Sequence, residues 1–329
     1  ALVLAPMVSE ALARLRERVP VLYEPWTETH RLWDPRELTP RLKREEVTIL
    51  VLEADFLFGD VFAEDTPLQF VGVCRDLVHH VDVEAATQRG VLVVNTPGRT
   101  TQGAAELTLA LMLCLARRVP EAHAYVRGGR WRDPVEPYLS LRGVELGGKT
   151  LGLIGLGKIG RRVARLARAV GMRVVAYEPY APPLRGVEGL GLEELLQKSD
   201  FVSLHAAETP ESRLLLGQER LALMKPSAFL INTASPALVD PEALARALEE
   251  GRLAGAAVDV FESHPPPITN RLLQMERVLL TPHIGGATDG TLERHSRMMV
   301  EDILRFLEGR RPRHLVNPTA WRRRHRGRG

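Results

Sequence analysis

Residues 149–160 read Lys-Thr-Leu-Gly-Leu-Ile-Gly-Leu-Gly-Lys-Ile-Gly, and this stretch decides the fold. Gly155, Gly157 and Gly160 form the pattern G-x-G-x-x-G, which is weak evidence when it stands alone. Here an apolar run precedes the first glycine, and an amphipathic helix candidate, Ile159–Val170, begins beside the last. A strand, a glycine turn and a helix in this order predict a βαβ unit that binds a dinucleotide.

Each glycine has its own task in such a turn. Gly155 permits the tight turn, Gly157 lets the backbone approach a diphosphate, and Gly160 lets the helix pack closely on the strand. The free N–H groups at the start of the helix attract the phosphates. The next strand candidate, Arg173–Tyr177, ends beside Glu178, whose carboxylate can accept both ribose hydroxyls and would repel a 2′-phosphate. The sequence therefore predicts NAD rather than NADP as the cofactor.

Strand-like apolar runs alternate with helical patterns along most of the chain. Several of these runs are apolar at every position, as is typical of parallel strands that are covered on both faces. The alternation predicts the α/β class, with doubly wound parallel sheets. The strand candidates are Leu2–Ala5, Val47–Leu52, Phe70–Val73, Val91–Val94, Leu151–Ile154, Arg173–Tyr177, Phe201–Leu204, Phe229–Ile231, Ala256–Val260 and Val278–Leu280.

The strand candidates form two series, which indicates two Rossmann-like domains. Two long helix candidates, Thr101–Arg117 and Asp289–Glu308, flank the second series and are expected to be the crossings between the domains. The first domain is then discontinuous, because the C-terminal segment returns to it. The expected division is a flavodoxin-like substrate domain at residues 1–98 and 287–318, an NAD-binding Rossmann domain at 99–286, and a basic flexible tail at 319–329.

The composition is that of an ordinary globular protein: of 329 residues, 45% are hydrophobic and 26% are charged. Eight Arg and no acid lie between residues 310 and 328, so the formal charge of +3 arises from this segment and the rest of the chain is mildly acidic. This distribution argues against a nucleic-acid-binding surface. No apolar run reaches the roughly 18 residues of a membrane span.

Cysteine usage indicates a reducing compartment. The chain has two cysteines, Cys74 and Cys114, and neither stands at a metal-ligand spacing, so no metal site is expected. The first residues read as a strand and not as a signal peptide. A cytoplasmic location is therefore expected.

Five further segments carry recognisable motifs: Leu92–Gly98, Leu204–Glu211, Ile231–Asp240, Ala254–Phe261 and Thr281–Thr288. Together they resemble one family, the D-isomer-specific 2-hydroxyacid dehydrogenases. The resemblance extends from about residue 68 to 318. It implies two Rossmann-like domains, NAD, a small-molecule substrate and a homodimer formed through helices near Thr100–Arg118. The family transfers a hydride between nicotinamide C4 and C2 of a 2-hydroxy or 2-keto acid.

The resemblance also assigns site residues. His283 matches the His that exchanges the hydroxyl proton, a task that needs a side chain of near-neutral pKa. Asp259 matches the acid that contacts the nicotinamide carboxamide. The residues expected at the cofactor are Gly155, Gly157, Lys158, Ile159, Gly160, Glu178, His205, Thr209, Thr233, Ala234, Asp259, His283, Gly285 and Gly286.

Other positions depart from the family pattern. The family has an Arg that clamps the substrate where this chain has Ser235, and a Glu beside the catalytic His where this chain has His264. In the first domain, Arg75 and Leu77 occupy glycine positions of the substrate loop. The residues expected at the reacting carbon are thus His283, Ser235, His264 and Arg75.

These departures leave three readings open. In the first, the chain is an active NAD-dependent oxidoreductase, and Arg75, Arg99 or the His79/His80 pair supplies the missing cation; Arg75 could equally be a solvated loop residue. In the second, the chain is a weak or inactive NAD-binding regulator or scaffold. In the third, the Arg-rich C-terminal segment binds nucleic acid or an acidic partner. The first is preferred, because Asp259 and His283 are both present.

Overall fold

The computed structural model describes residues 1–63 and 65–326. The chain divides into two compact units. The first unit contains residues 1–99 and the segment that begins at Asp289, and the second unit contains Thr100–Thr288. The chain therefore leaves the first unit after Arg99 and returns to it at Asp289. The boundaries expected from the sequence differ from these by one and two residues.

The first unit is built on a parallel sheet with the strand order β2-β1-β3-β4-β5. All residues of β3 and β4 are buried, because apolar clusters cover both faces of the sheet. The strands are β1 (Leu2–Val3), β2 (Leu22–Tyr23), β3 (Ile49–Leu52), β4 (Phe70–Val73) and β5 (Leu92–Asn95). The helices between them are α1 (Ser9–Arg16), α2 (Trp26–Thr29), α3 (Pro35–Arg44) and α4 (Val83–Gln88).

The second unit contains a longer parallel sheet, in which the polypeptide starts at the centre and builds outward on both sides. Its strand order is β12-β11-β10-β9-β6-β7-β8. Since every pair is parallel, the carboxyl ends of all its strands lie at one edge. The strands are β6 (Thr150–Ile154), β7 (Arg173–Tyr177), β8 (Glu188–Gly189), β9 (Phe201–Leu204), β10 (Phe229–Asn232), β11 (Gly255–Val258) and β12 (Val278–Leu280).

Helices cover the two faces of this second sheet and bury two apolar clusters. One face packs against α5 and α8, and the other against α9, α10 and α11. The helices are α5 (Thr101–Arg117), α6 (Val119–Arg127), α7 (Val135–Ser140), α8 (Lys158–Ala169), α9 (Leu192–Lys198), α10 (Gln218–Leu221) and α11 (Pro241–Glu249). The predicted α/β class with two Rossmann-like sheets is confirmed.

The C-terminal segment completes the first unit with α12 (Asp289–Leu307) and α13 (Pro318–Arg326). The sequence predicts a flexible tail from residue 319, whereas residues 319–326 form most of α13. Ala320 is fully buried and Trp321 packs on the apolar cluster that contains Met299. These two apolar side chains anchor an otherwise Arg-rich helix. Residues 327–329 of the expected tail lie outside the described residues.

Sequence reasoning missed β2 and β8. Each has two residues and lies at the edge of its sheet, where no long apolar run is needed. None of the helices in residues 1–63 and 65–326 combines the length and the apolar character required to span a bilayer.

Candidate active site

The glycine turn between β6 and α8 has the shape that a diphosphate requires. Gly155 has φ +101°, and a Cβ on it would lie 2.6 Å from the backbone nitrogen of Ala206. A Cβ on Gly160 would overlap the Gly155 carbonyl oxygen. Around Gly157, by contrast, a Cβ would meet no described atom within 4 Å. The first and last glycines are thus fixed by packing, and the middle one leaves open space in front of the turn.

Helix α8 begins at Lys158, directly behind that open space. Its N-cap is Gly157, which has no side chain to satisfy the first N–H groups of the helix. Lys158 is exposed and Ile159 is partly buried. The open turn and the uncapped helix start together fit the diphosphate of a dinucleotide.

Glu178 lies at the carboxyl end of β7 and reaches back to the glycine turn. Its Oε2 accepts the N–H of Leu156 at 2.6 Å, and its Oε1 accepts the N–H of Tyr180 at 2.8 Å. Burial alone would raise the pKa of Glu178, but these N–H groups, that of Ala181 and the charge of Arg161 together hold the pKa below its usual range. A carboxylate that stays charged beside the turn fits a ribose with free hydroxyls, as in NAD.

The loop that follows β9 packs against the glycine turn. His205 lies against Gly155 and Gly160, and its Nε2 is 2.9 Å from Ser203 Oγ. Burial lowers the pKa of His205 to about 4, so the ring is neutral at pH 7. Thr209 stands four residues later, and its N–H donates to Ser212 Oγ at 2.8 Å.

A tight turn follows β10 and is organised by Asn232. The amide Nδ2 of Asn232 donates to the Ser235 carbonyl oxygen at 2.8 Å, and its Oδ1 accepts the N–H of Ala234 at 3.1 Å. Thr233 Oγ1 is 3.0 Å from Thr108 Oγ1 on α5. The turn is therefore tied to both the strand and the helix behind it.

Ser235 does not supply a positive charge of its own, and its hydroxyl is committed. Ser235 Oγ donates to Glu208 Oε2 at 2.8 Å and accepts the N–H of Ala237 at 3.2 Å. The residue is buried, while Glu208 is exposed. Sequence reasoning did not single out Glu208; the only signal available was an acid placed four residues after a buried strand.

Asp259 fastens the loop that carries His283. Its carboxylate is buried, with Oδ1 accepting Thr281 Oγ1 at 2.6 Å and the N–H of Ile284 at 2.8 Å. Its Oδ2 accepts the N–H of Gly285 at 2.9 Å. The contact with the cofactor that the resemblance implies for Asp259 stays a prediction, and the structure adds that Asp259 holds both ends of the loop. Gly286 follows, and a Cβ on it would lie 2.9 Å from Thr100 Cγ2.

His283 and His264 form a pair at the same edge of the sheet. His283 Nδ1 lies 3.0 Å from His264 Nε2, with the ring centres 5.0 Å apart. One ring nitrogen must donate and the other accept, so the pair holds a proton between them. His283 has φ +55°, a left-handed conformation that is rare outside glycine and is typical of constrained functional positions.

The cation candidates of the first unit differ in their availability. Arg75 follows β4 and is exposed, and within the part of the chain that the structure describes no acid lies at ion-pair distance from it. Arg99 is held by Glu53 at 2.6 Å and by His295 Nδ1 at 2.9 Å. Burial, with smaller contributions from Arg75 and His79, lowers the pKa of His80 to about 4. Arg75 is thus exposed, whereas Arg99 is engaged by two partners and His80 is buried.

The second unit brings most of the expected residues to the carboxyl edge of its sheet. They follow adjacent strands β9, β10, β11 and β12, and the glycine turn follows β6 at the same edge. The residues that sequence reasoning missed there are Asn232, Glu208 and Thr281, which act by holding other residues. Groups of three or more His, Cys, Asp or Glu that could hold a metal ion are absent from the described residues.

Comparisons with known proteins agree with this geometry. Residues 109–285 match the sequence profile of the family "D-isomer specific 2-hydroxyacid dehydrogenase, NAD binding domain". A glyoxylate reductase of Korarchaeum cryptofilum is 41% identical over 82% of each chain. The TT0316 protein of Thermus thermophilus, a crystal structure, is 42% identical with a TM-score of 0.85 over 96% of this chain and 99% of that one.

A longer relative shares the same region. The D-3-phosphoglycerate dehydrogenase of Methanocaldococcus jannaschii is 38% identical over 85% of this chain, which spans 55% of that protein's length. With the fit of the glycine turn and Glu178 to NAD, these matches show that the chain belongs to the D-isomer-specific 2-hydroxyacid dehydrogenase family of NAD-dependent oxidoreductases.

Proposed function

We propose that this chain interconverts a small 2-hydroxy acid and its 2-keto acid, with His283 as the general acid and base. The observation that carries the proposal is the fastening of the His283 loop by the buried Asp259 carboxylate. Three hydrogen bonds hold the loop that carries the exposed His283 imidazole, at the edge of the sheet where the glycine turn also lies. When bound, NAD supplies the two-electron hydride chemistry at its nicotinamide.

The residues of this chain handle the proton. His283 accepts the hydroxyl proton as the 2-hydroxy compound is oxidised and returns it as the keto oxygen is reduced. His264, 3.0 Å away, orients the ring by sharing the proton at Nδ1. The other ring nitrogen of His283 then faces the substrate. Ser235 and Thr233 shape the adjacent turn, and Glu178 with the turn at Gly155 to Gly160 holds the dinucleotide.

Arg75 is the residue that we propose to neutralise the substrate carboxylate. It is exposed and, among residues 1–63 and 65–326, lacks an ion-pair partner, and a guanidinium matches a carboxylate with two parallel hydrogen bonds. Arg75→Ala should lower kcat/KM for 2-keto acids by about 30-fold or more. Arg14→Ala, another exposed Arg of the first unit, is the control. Unchanged kinetics in Arg75→Ala would remove this part of the proposal.

The decisive experiment is a screen of small 2-keto acids with NADH, followed by His283→Asn. We expect turnover in the natural protein and a kcat lower by about 10²- to 10⁴-fold in the variant. NADH affinity, measured by calorimetry, should stay within a factor of about three, which corresponds to less than 1 kcal/mol. An active His283→Asn enzyme would contradict the assignment.

A second candidate function is NAD binding without turnover, in regulation or scaffolding. The observation in its favour is that the Ser235 hydroxyl is committed to Glu208, which leaves this turn without a cation for an acid substrate. Tight NADH binding with no reduction of any 2-keto compound would support it over the oxidoreductase.

We also propose that a second copy of the chain covers an exposed apolar surface on the second unit. Exposed apolar side chains are concentrated between residues 113 and 144, and apolar patches of this kind mark protein interfaces. Trp131→Glu should convert a dimer to a monomer in sedimentation experiments, and a dimer that persists would contradict the proposal. The exposed apolar residues are Leu113, Val119, Val126, Trp131, Val135, Tyr138, Leu139 and Val144.

We place the protein in the cytoplasm because both cysteines are free thiols.

A further inference from the structure

We infer that Glu208 is a specificity-determining residue that selects 2-keto and 2-hydroxy acids with a positively charged side chain, such as an ammonium or a guanidinium. The inference rests on the proposed oxidoreductase function and names the substrate class of that same site. Ser235 is the positioning residue that holds Glu208 in place. Glu208, Ser235 and His283 all belong to the second unit.

The buried hydroxyl of Ser235 anchors the exposed carboxylate of Glu208. Ser235 is 9% exposed, and its single hydroxyl hydrogen is directed to Glu208 Oε2 at 2.8 Å. The oxygen of the same hydroxyl accepts the N–H of Ala237 at 3.2 Å, which fixes its orientation. Asn232 holds the Ser235 carbonyl oxygen from the other side at 2.8 Å. Glu208 is therefore constrained, although its carboxylate faces solvent.

The second step is the position of that carboxylate relative to the reacting edge. Glu208 follows β9, Ser235 follows β10 and His283 follows β12. Strands β9, β10, β11 and β12 are consecutive neighbours and all parallel, so these loops emerge at one edge of the sheet. A substrate whose C2 oxygen meets His283 lies at this edge.

The third step is the charge of the edge. The segments that follow these strands, residues 205–214, 233–240, 259–270 and 281–288, contain one Arg and no Lys. Of their acids, Asp240 caps α11 and Asp259 holds the His283 loop, so their charges are already used by N–H groups. Glu211 is hydrogen-bonded to Thr209. Glu208 and Glu262 remain, and only Glu208 is held by a buried side chain.

The fourth step is the absence of a compensating cation. In the described ranges, no Arg, Lys or His forms an ion pair with Glu208. A second carboxylate on the substrate would be repelled at this point, and a side chain with a cationic group would be attracted. The effect should weaken as the salt concentration rises, because exposed charges are screened over about 8 Å at physiological ionic strength.

The test is a comparison of three substrates in the natural protein and in matched variants. The substrates are 2-keto acids with side chains of similar length that end in a guanidinium, an amide or a carboxylate. We expect the natural protein to reduce the guanidinium compound most efficiently. Glu208→Gln should lower the ratio of kcat/KM for the cationic over the anionic substrate by about tenfold or more, because it removes the charge and keeps the shape.

Glu211→Gln is the matched control, since it removes the same charge from the same loop without contacting Ser235. It should leave the ratio unchanged. Ser235→Ala should lower the ratio by an intermediate factor of about three, because the Glu208 side chain is retained but loses its anchor. A ratio in Glu208→Gln equal to that of the natural protein, or an equal loss in Glu211→Gln, would overturn the inference.

A binding measurement separates this inference from the proposed function. The dissociation constants of the 2-hydroxy acids with the same three side chains are measured on the NAD complex by calorimetry, which requires no turnover. A charge preference that disappears in Glu208→Gln supports the inference even if no substrate is reduced, in which case the proposed function fails. Reduction without any charge preference retains the function and overturns the inference, as does failure of all three compounds to bind.

Discussion

The glycine turn after β6 and the turn after β10 lie at one edge of the same sheet, but different physical constraints determine their residues. At the first, the first and last glycines are dictated by the space around the backbone: a Cβ at Gly155 or Gly160 would strike main-chain atoms. At the second, Asn232 holds the backbone with two hydrogen bonds. The side chain at position 235 is determined there by the hydrogen bonds that it forms. Packing against the backbone therefore limits which residues can stand on the cofactor side, while hydrogen-bonding partners can change on the substrate side.

Gly155→Ala is the most severe way to probe the steric half of this comparison. The added Cβ would lie 2.6 Å from Ala206 N, and the alanine would have to adopt the φ of +101° that Gly155 has. We expect a loss of about 2–4 kcal/mol in the free energy of unfolding and the loss of measurable NAD binding. Chemical denaturation and calorimetry would show this.

Gly157→Ala is the matched variant, since its Cβ meets no described atom within 4 Å. It should keep the natural Tm and weaken NAD about tenfold, because the methyl group fills the space that the diphosphate needs. Equal stability losses in the two alanine variants would show that the turn is not shaped as described.

Asp259→Ala sharpens the comparison on the chemical side. The carboxylate holds Thr281, Ile284 and Gly285, so its removal leaves the His283 loop without its anchor. We expect kcat to fall by about 10²-fold, since small displacements of a catalytic group have effects of this size. Asp259→Asn keeps one acceptor and should lose less. A kcat that is unchanged in Asp259→Ala would mean that the loop is held elsewhere.

Glu178→Ser tests whether charge or shape decides the choice of dinucleotide. The carboxylate is charged at neutral pH, because N–H groups and Arg161 lower its pKa against the opposing effect of burial. Its removal should weaken NAD and strengthen NADP, so that the ratio of their dissociation constants moves about tenfold towards NADP. Competitive binding measurements give this ratio directly. A natural protein that already prefers NADP would contradict the role of Glu178.

The last expected effect, which develops only below neutral pH, is a pH dependence of stability that arises from His205. Burial lowers its pKa to about 4, so the folded protein keeps the ring neutral while the unfolded chain takes up a proton near the ordinary value of 6.5. The contribution of His205 to stability is therefore complete above pH 6.5 and declines as the pH falls towards 4. Tm should decrease over this range, and less steeply in His205→Gln. Identical slopes would assign the effect to other groups.

The sequence predicted the parts of the fold that depend on backbone geometry. The runs at Phe70–Val73, Arg173–Tyr177, Phe201–Leu204 and Val278–Leu280 form strands with the expected bounds, because parallel strands that are covered on both faces are rich in apolar residues. The edge strands β2 and β8 gave no such signal. Helix α13 was concealed by its Arg residues, since two anchoring side chains, Ala320 and Trp321, are too few to show a helical period.

The site was less accessible to sequence reasoning. The family resemblance pointed to His283 and Asp259 as site residues, but the loop-fastening contacts of Asp259 depend on how residues from separate strands converge. The bond from Ser235 to Glu208 joins residues on different loops, and no spacing in the sequence announces it. Residues that act by holding others are visible only once the strands are placed side by side.

The discontinuous first unit has a consequence for the order in which the chain acquires its structure during synthesis. Val3 from the start of the chain and Met299, Ile303 and Ala320 from its last quarter share one apolar cluster. The second unit is contiguous and can complete its sheet before residue 289 has left the ribosome. The N-terminal strands must therefore wait, with one face incomplete, until the final helices arrive.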